Sequence, residues 1–81
     1  MKVTSQQIIR VFEKHKTEQR KIANGDFPVK LATWCIRRRI EETFGGKVSC
    51  VDIRKVINGM TCVQYDEHSS RSGNYVWRYL P

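Results

Sequence analysis

The spacing of the apolar residues changes once along this chain, at about Met60. Before that point, apolar side chains recur every three or four residues, which is the period of a helix with one buried face. After it, apolar and polar residues alternate in the segments 61–65 and 75–80, which is the period of a strand. The sequence therefore predicts helices first and an antiparallel β-hairpin last, with a long polar tip at residues 66–74.

The sequence before Met60 predicts three helices, of which the first two are long. Thr4 and Gln7 have the spacing of a capping box, and we expect the first helix to cover about residues 4–23. We expect the second to begin near residues 26–28, because the proline there suits a first helical turn. The glycine pair at residues 45–46 is expected to end it.

The third predicted helix is short. Ser49 and Asp52 form a second capping pattern, with the carboxylate at the helix N-terminus where it is favoured. Gly59 is a natural stop at the other end. Apolar residues at positions 53, 56 and 57 are expected to face inward, which leaves the opposite side of this helix for solvent or for a partner.

The chain has 81 residues, which suits one domain with a small core. A hairpin alone is only marginally stable in water, so its aromatic side is expected to pack on the helices. The aromatic residues expected in the core are Trp34, Tyr75, Trp77 and Tyr79. The helix residues expected against the last two are Trp34, Ile36 or Ile57.

The cysteines and histidines do not form a metal-binding pattern. Cys35, Cys50 and Cys62 are 15 and 12 residues apart and include no Cys-x-x-Cys pair. Because no secretory signal is present, we expect reduced thiols that pack as small apolar side chains. His15 is expected to be partly buried on the first helix, and His68 to be exposed in the hairpin tip. We expect no metal ion and no cofactor.

The sequence predicts neither an enzyme nor a membrane protein. It contains no nucleophile elbow, phosphate-binding loop or zinc-protease motif. Acidic residues that are neighbours in sequence point apart on a helix and make a poor acid–base couple. No apolar run approaches the ~18 residues of a membrane span.

The order helix, helix, helix, hairpin resembles the winged helix-turn-helix family over about residues 28–80. The resemblance lies in the turn 44–49, the short helix 50–58 and the strands on either side of the tip. It implies a mostly α fold with a small β-hairpin: a three-helix bundle plus a C-terminal two-stranded wing, in a single winged-helix domain over residues 1–81. It also implies that the third helix enters the major groove of DNA and that the wing contacts the backbone or minor groove.

The charge of the chain supports a nucleic-acid partner independently. Fifteen Lys and Arg residues against eight Asp and Glu residues give a formal net charge of +7. Such a surface gains affinity for duplex DNA by releasing its counterions. Arg54, Lys55 and Asn58 lie on the non-core side of the third helix, and Arg and Asn are the side chains that read guanine and adenine.

Three further residues are expected to hold phosphates. Lys47 and Ser49 flank the start of the third helix, where backbone N–H groups also favour an anion. Arg71 lies in the serine-rich tip, from which it could reach a phosphate or a narrow minor groove.

These observations predict a double-stranded DNA-binding protein, a small sequence-specific transcriptional regulator. In size and architecture it resembles the regulators of phages and plasmids. One alternative is an architectural or recombination factor of the excisionase type, and another is a winged-helix module that binds a protein partner. A homodimer also stays open. The expected location is the cytoplasm, on the nucleoid, or the host cytoplasm for a phage-encoded protein.

Overall fold

The computed structural model describes residues 2–22, 29–67, 70 and 75–80. Three helices and three short strands follow one another along the chain. They are α1 (Ser5–Ile22), β1 (Val29–Ala32), α2 (Thr33–Phe44), α3 (Cys50–Asn58), β2 (Val63–Tyr65) and β3 (Val76–Tyr79). The fold is therefore mostly helical with a small antiparallel sheet.

The first helix begins as the sequence predicts. The backbone N–H of Thr4 donates to Oε1 of Gln7 over 3.1 Å, and the N–H of Gln7 donates to Oγ1 of Thr4 over 3.3 Å. This reciprocal capping box satisfies two of the N–H groups that a helix start leaves without partners. One turn further on, Ile8 and Phe12 are fully buried, so α1 packs an apolar side into the core.

The start of the second helix differs from the prediction. Residues Val29–Ala32 form strand β1, and α2 begins only at Thr33. Val29 and Leu31 are buried and the residue after each is partly exposed, so the segment alternates with a period of two. Four residues are too few to separate this pattern from helical spacing. The segment is a strand because pairing with β3 supplies its backbone hydrogen bonds. The expected start at residues 26–28 lies outside the described residues.

The predicted antiparallel pairing of the two C-terminal strands is confirmed as β2 with β3, and it belongs to a three-stranded sheet with the order β1-β3-β2. Both pairings are antiparallel. Val29 and Val63 lie opposite Tyr79 from the two sides, and Trp77 lies opposite a residue of each outer strand. The expectation of a two-stranded wing therefore understates the sheet, because β1 covers the edge of β3 that a hairpin alone would leave unpaired.

The central strand carries the aromatic part of the core. Trp77 and Tyr79 are each only 6% exposed, as expected. The ring of Tyr79 stacks on Phe12 of α1 with centroids 5.3 Å apart, and its hydroxyl donates to Glu13 over 2.6 Å. The indole Nε1–H of Trp77 donates to the hydroxyl of the buried Thr33 over 2.8 Å. The sheet is thus fastened to both α1 and α2 through β3.

Two aromatic residues expected in the core are on the surface. Trp34 is 51% exposed and Tyr75 is 40% exposed. The inward side of α2 consists of Thr33, Ile36 and Ile40, which recur at helical spacing and turn Trp34 away from the core. Tyr75 precedes β3, and its ring contacts the surface side chains of Tyr65 and Arg54 rather than the core.

Candidate nucleic-acid interface

The turn between α2 and α3 is held by one glutamate. The N–H of Gly45 donates to the backbone carbonyl of Glu41 over 3.0 Å, and the N–H of Val48 donates to Oε2 of the same residue over 3.0 Å. Gly45 and Gly46 both have positive φ, at 76° and 81°, so the predicted glycine stop of α2 is confirmed. Because Glu41 contacts both ends of the turn, it fixes where α3 starts relative to α2. Sequence reasoning missed this role, since a glutamate inside a helix is an ordinary surface residue.

The start of α3 follows the predicted capping pattern. Oγ of Ser49 accepts the N–H of Asp52 over 3.1 Å, and its carbonyl accepts the N–H of Ile53 over 3.2 Å. The hydroxyl hydrogen of Ser49 stays available to donate to an anion, because the cap uses only an oxygen lone pair. Lys47, two residues earlier, is exposed.

The outward side of α3 holds the three residues expected to read bases. Ile53 and Ile57 are essentially fully buried and fix the rotation of the helix. Lys55 and Asn58 are exposed on the other side, and Arg54 is partly exposed. The structure therefore brings these three side chains to the surface of one helix, and the buried isoleucines anchor that helix from behind.

Val51 was missed by sequence reasoning although it lies on the same side of α3. It is 50% exposed, and it is spaced four and seven residues before Lys55 and Asn58, so the three share one stripe of the helix. An apolar side chain in such a stripe can contact the methyl group of thymine. The helical spacing could have identified Val51 from the sequence, because it places position 51 opposite the buried positions 53 and 57.

A pair of tyrosines extends this surface onto the hairpin. The guanidinium carbon of Arg54 lies 5.1 Å from the ring centroid of Tyr75. Tyr75 contacts Tyr65, with centroids 5.8 Å apart, and Tyr65 contacts the edge of Trp77 at 5.7 Å. Tyr65 is 48% exposed, so both tyrosines face solvent beside α3. We call Arg54, Tyr65 and Tyr75 the arginine–tyrosine patch.

The basic residues on the other side of the sheet are paired with a buried carboxylate. Asp66 is 6% exposed and lies 2.8 Å from Nζ of Lys30 and 3.9 Å from Nη2 of Arg78. Its carbonyl also accepts the backbone N–H and the hydroxyl of Ser70. Asp66 therefore neutralises cations on β1 and β3, and its backbone also binds Ser70. The tip residues Arg71 and His68 lie outside the described residues.

The basic side chains of α2 that face α1 are also paired. Arg39 lies 3.4 Å from Glu18 and 3.3 Å from Nδ1 of His15, and Arg38 lies 3.0 Å from Glu42. Burial, followed by the positive charge of Arg39, lowers the pKa of His15. This partly buried histidine agrees with the expectation from the sequence. These two arginines of α2 thus have carboxylate partners, in contrast to the cations on the outward side of α3.

The cations next to and on α3 have no carboxylate partner within the described part of the chain. None of the ion pairs found there includes Lys47, Arg54 or Lys55. An external anion could therefore bind these side chains without first breaking any of these ion pairs.

The three cysteines are free thiols, each partly buried, and burial raises the pKa of Cys35. Among the residues that the structure describes, no group of three or more His, Cys, Asp or Glu side chains is placed to hold a metal ion. In the same residues, no helix combines the length and the apolar character needed to cross a membrane.

No protein-family model, curated protein or solved structure matches this chain.

Proposed function

We propose that the chain is a sequence-specific duplex DNA-binding protein of winged-helix type that acts as a small transcriptional regulator. The observation that carries the proposal is the outward side of α3. There, Arg54, Lys55 and Asn58 project from a helix whose opposite side is fixed in the core by Ile53 and Ile57. A helix of this kind fits the width of the major groove.

The chemistry of these side chains suits base recognition. An arginine can donate two parallel hydrogen bonds to O6 and N7 of guanine, and an asparagine can pair with N6 and N7 of adenine. Lys47 and the Ser49 hydroxyl lie at the helix start, where the N-terminal dipole also favours a phosphate. The net charge of +7 adds a favourable term that does not depend on sequence.

The architecture is compatible with this proposal. Three helices with a short α3 and an antiparallel β2–β3 pair are compatible with a winged helix, in which the third helix and the wing contact one duplex. We assign the tip, with Arg71, to the DNA backbone or the minor groove. Regulation would then result from occupancy of the DNA site.

The test begins with selection of bound sequences from a random duplex library. Arg54→Ala and Asn58→Ala are then compared with Arg71→Ala on the selected site and on a scrambled one, at two salt concentrations. We expect the first two to lose ~1–3 kcal/mol on the selected site and to relax specificity at one base pair each. Arg71→Ala should weaken binding to all sequences alike and reduce the salt slope by about one.

Arg38→Ala is the matched control for charge. It removes one positive charge from an exposed residue that is paired with Glu42 on α2. If Arg38→Ala weakens binding as much as Arg54→Ala, net charge alone drives binding and α3 reads no bases. Uniform affinity of the parent for all duplexes would favour the architectural alternative. Absence of salt-dependent duplex binding would favour a protein partner.

A further inference from the structure

The backbone of Tyr75 is fixed from behind by α2. Its carbonyl accepts both the backbone N–H of Thr33, over 2.9 Å, and the Thr33 hydroxyl, over 3.2 Å. The same hydroxyl oxygen accepts the indole N–H of Trp77. Thr33 is 6% exposed, so this network is inside the protein. Tyr75 therefore stands at the surface on a rigid base, although it lies next to the hairpin tip.

The ring of Tyr75 is also supported from the side. Tyr65 packs against it at 5.8 Å, and Trp77 in turn supports Tyr65 at 5.7 Å. A ring held by its backbone and by a neighbouring ring has little freedom to move away. It offers a preformed surface to whatever lies over its face.

The guanidinium of Arg54 lies over that face, 5.1 Å from the centroid. An arginine that stacks on an aromatic ring uses the face of its guanidinium, whereas its hydrogen bonds to a base or phosphate use the edge. Stacking therefore leaves the N–H groups able to bond an acceptor. It also removes rotamer freedom from a long side chain before any ligand arrives, which lowers the cost of binding.

We infer that Tyr75 is a positioning residue that holds the Arg54 guanidinium ready to bond a guanine in duplex DNA. The inference rests on the proposed function, since it assigns a role within the same α3 interface. It predicts that the specificity of this protein at one base pair depends on a residue of the hairpin as well as on α3. Tyr75 contributes through its ring, so its hydroxyl is dispensable for this role.

The contact is first measured without DNA. Aromatic ring currents shift the NMR signals of side-chain protons that lie over a ring, so the Arg54 δ-protons of the free parent protein should be shifted upfield. Tyr75→Leu should abolish the shift and Tyr75→Phe should keep it. Trp34→Leu is the matched control, because it removes an exposed aromatic ring that has no described contact with Arg54. If the parent lacks the shift, or Tyr75→Leu keeps it, the inference is wrong.

Binding to a selected duplex then tests the role. We expect Tyr75→Leu to weaken binding by roughly 2- to 5-fold, the range of an exposed cation–π contact, and to relax specificity at the same base pair as Arg54→Ala. Tyr75→Phe should bind like the parent. In the Arg54→Ala background, Tyr75→Leu should have no further effect, because its contribution passes through Arg54.

The outcomes separate this inference from the proposed function. If the parent reads a duplex sequence and Arg54→Ala relaxes it, but Tyr75→Leu does not, the inference fails and the proposed function stands. If the parent binds no duplex although the ring-current shift is present, the proposed function fails and the DNA role of Tyr75 fails with it. Tighter binding of single strands that depends on both Tyr65 and Tyr75 would make the patch a base-stacking platform and would overturn the inference.

Discussion

At the scale of single residues, Thr33 connects the start of α2 to strand β3 and to the residue before it, a role that no sequence pattern indicated. Its hydroxyl donates to the carbonyl of Tyr75 and accepts from the indole of Trp77, both of which are more than forty positions away. A buried polar group that loses its partner costs its full desolvation energy. This one side chain therefore controls both the packing of the sheet on α2 and the placement of Tyr75.

We predict that Thr33→Val lowers the free energy of unfolding by ~1–3 kcal/mol, because it leaves the buried Trp77 N–H without an acceptor while keeping the volume. Chemical denaturation measures the change. Thr43→Val is the matched control: it makes the same substitution at an exposed position of α2 and should stay within ~0.5 kcal/mol of the parent. Equal stability of the two variants would contradict the role of the Thr33 hydroxyl.

Tyr79 gives a second prediction at this scale. Burial and the hydrogen bond to Glu13 raise the pKa of its phenol from 10.0 to about 12. The folded state then binds the phenolic proton more tightly than the unfolded state, so this contribution to stability is present below pH 10. It is lost as the pH rises from 10 to about 12.

The measurement compares the parent with Tyr79→Phe, which has no proton to lose. The difference in their free energies of unfolding, obtained from denaturant titrations, should change across that pH window in the direction of a less stable parent. A difference that stays constant through the window would show that the phenol titrates equally in both states.

At the scale of elements, the α2–α3 turn determines how α3 is presented. Gly45 has φ 76° and ψ 173°, a region that only glycine occupies readily, and no atom lies within 4 Å of where a Cβ would be. The requirement for glycine is therefore conformational rather than steric. Gly59, after α3, has an ordinary negative φ of −91° and would place a Cβ at a normal 3.6 Å from the Val56 carbonyl.

We predict that Gly45→Ala destabilises the protein by ~1–3 kcal/mol through backbone strain alone. Gly59→Ala is the matched control and should leave the stability unchanged or raise it by up to ~1 kcal/mol, since it reduces the freedom of the unfolded chain. Thermal or chemical unfolding of both variants tests the difference. If the two substitutions have equal effects, the positive φ at Gly45 is not required for the turn.

At the scale of the whole molecule, we expect the formal net charge of +7 to have opposite effects on the free protein and on the DNA complex that we propose. Like charges repel one another within a compact protein, and salt screens that repulsion. Salt also competes with the protein for phosphates. One surface charge thus gives two salt dependences of opposite sign.

We predict that raising the ionic strength from ~0.01 M to ~0.15 M, over which the Debye length falls from ~30 Å to ~8 Å, raises the Tm of the free protein. The same change should weaken duplex binding, with a log–log slope near −0.9 per phosphate contacted. Thermal melts and fluorescence anisotropy provide the two measurements. A Tm that falls with salt would mean that attractive ion pairs outweigh the repulsion.

The sequence alone predicted those features whose interacting residues are close together in the chain. The capping box at Thr4, the side-chain cap at Ser49 and the glycine stop after α2 bond groups that lie within a few residues of one another. The alternation of residues 61–65 and 75–80 likewise predicted the antiparallel strand pair and the burial of Trp77 and Tyr79. From the helical period of α3, the sequence also placed Arg54, Lys55 and Asn58 on the side opposite the core.

Tertiary structure alone decided the features that depend on distant partners. Strand β1 forms because β3 supplies its hydrogen bonds. Its four residues are too few for the period of a strand to be recognised in the sequence. By residue type, Trp34 and Tyr75 are the same as the buried Trp77 and Tyr79. The packing of Thr33 and Trp77 nevertheless leaves the rings of Trp34 and Tyr75 outside the core. The contact of Arg54 with Tyr75 joins positions 21 residues apart, and only the folding of the hairpin onto α3 brings them together.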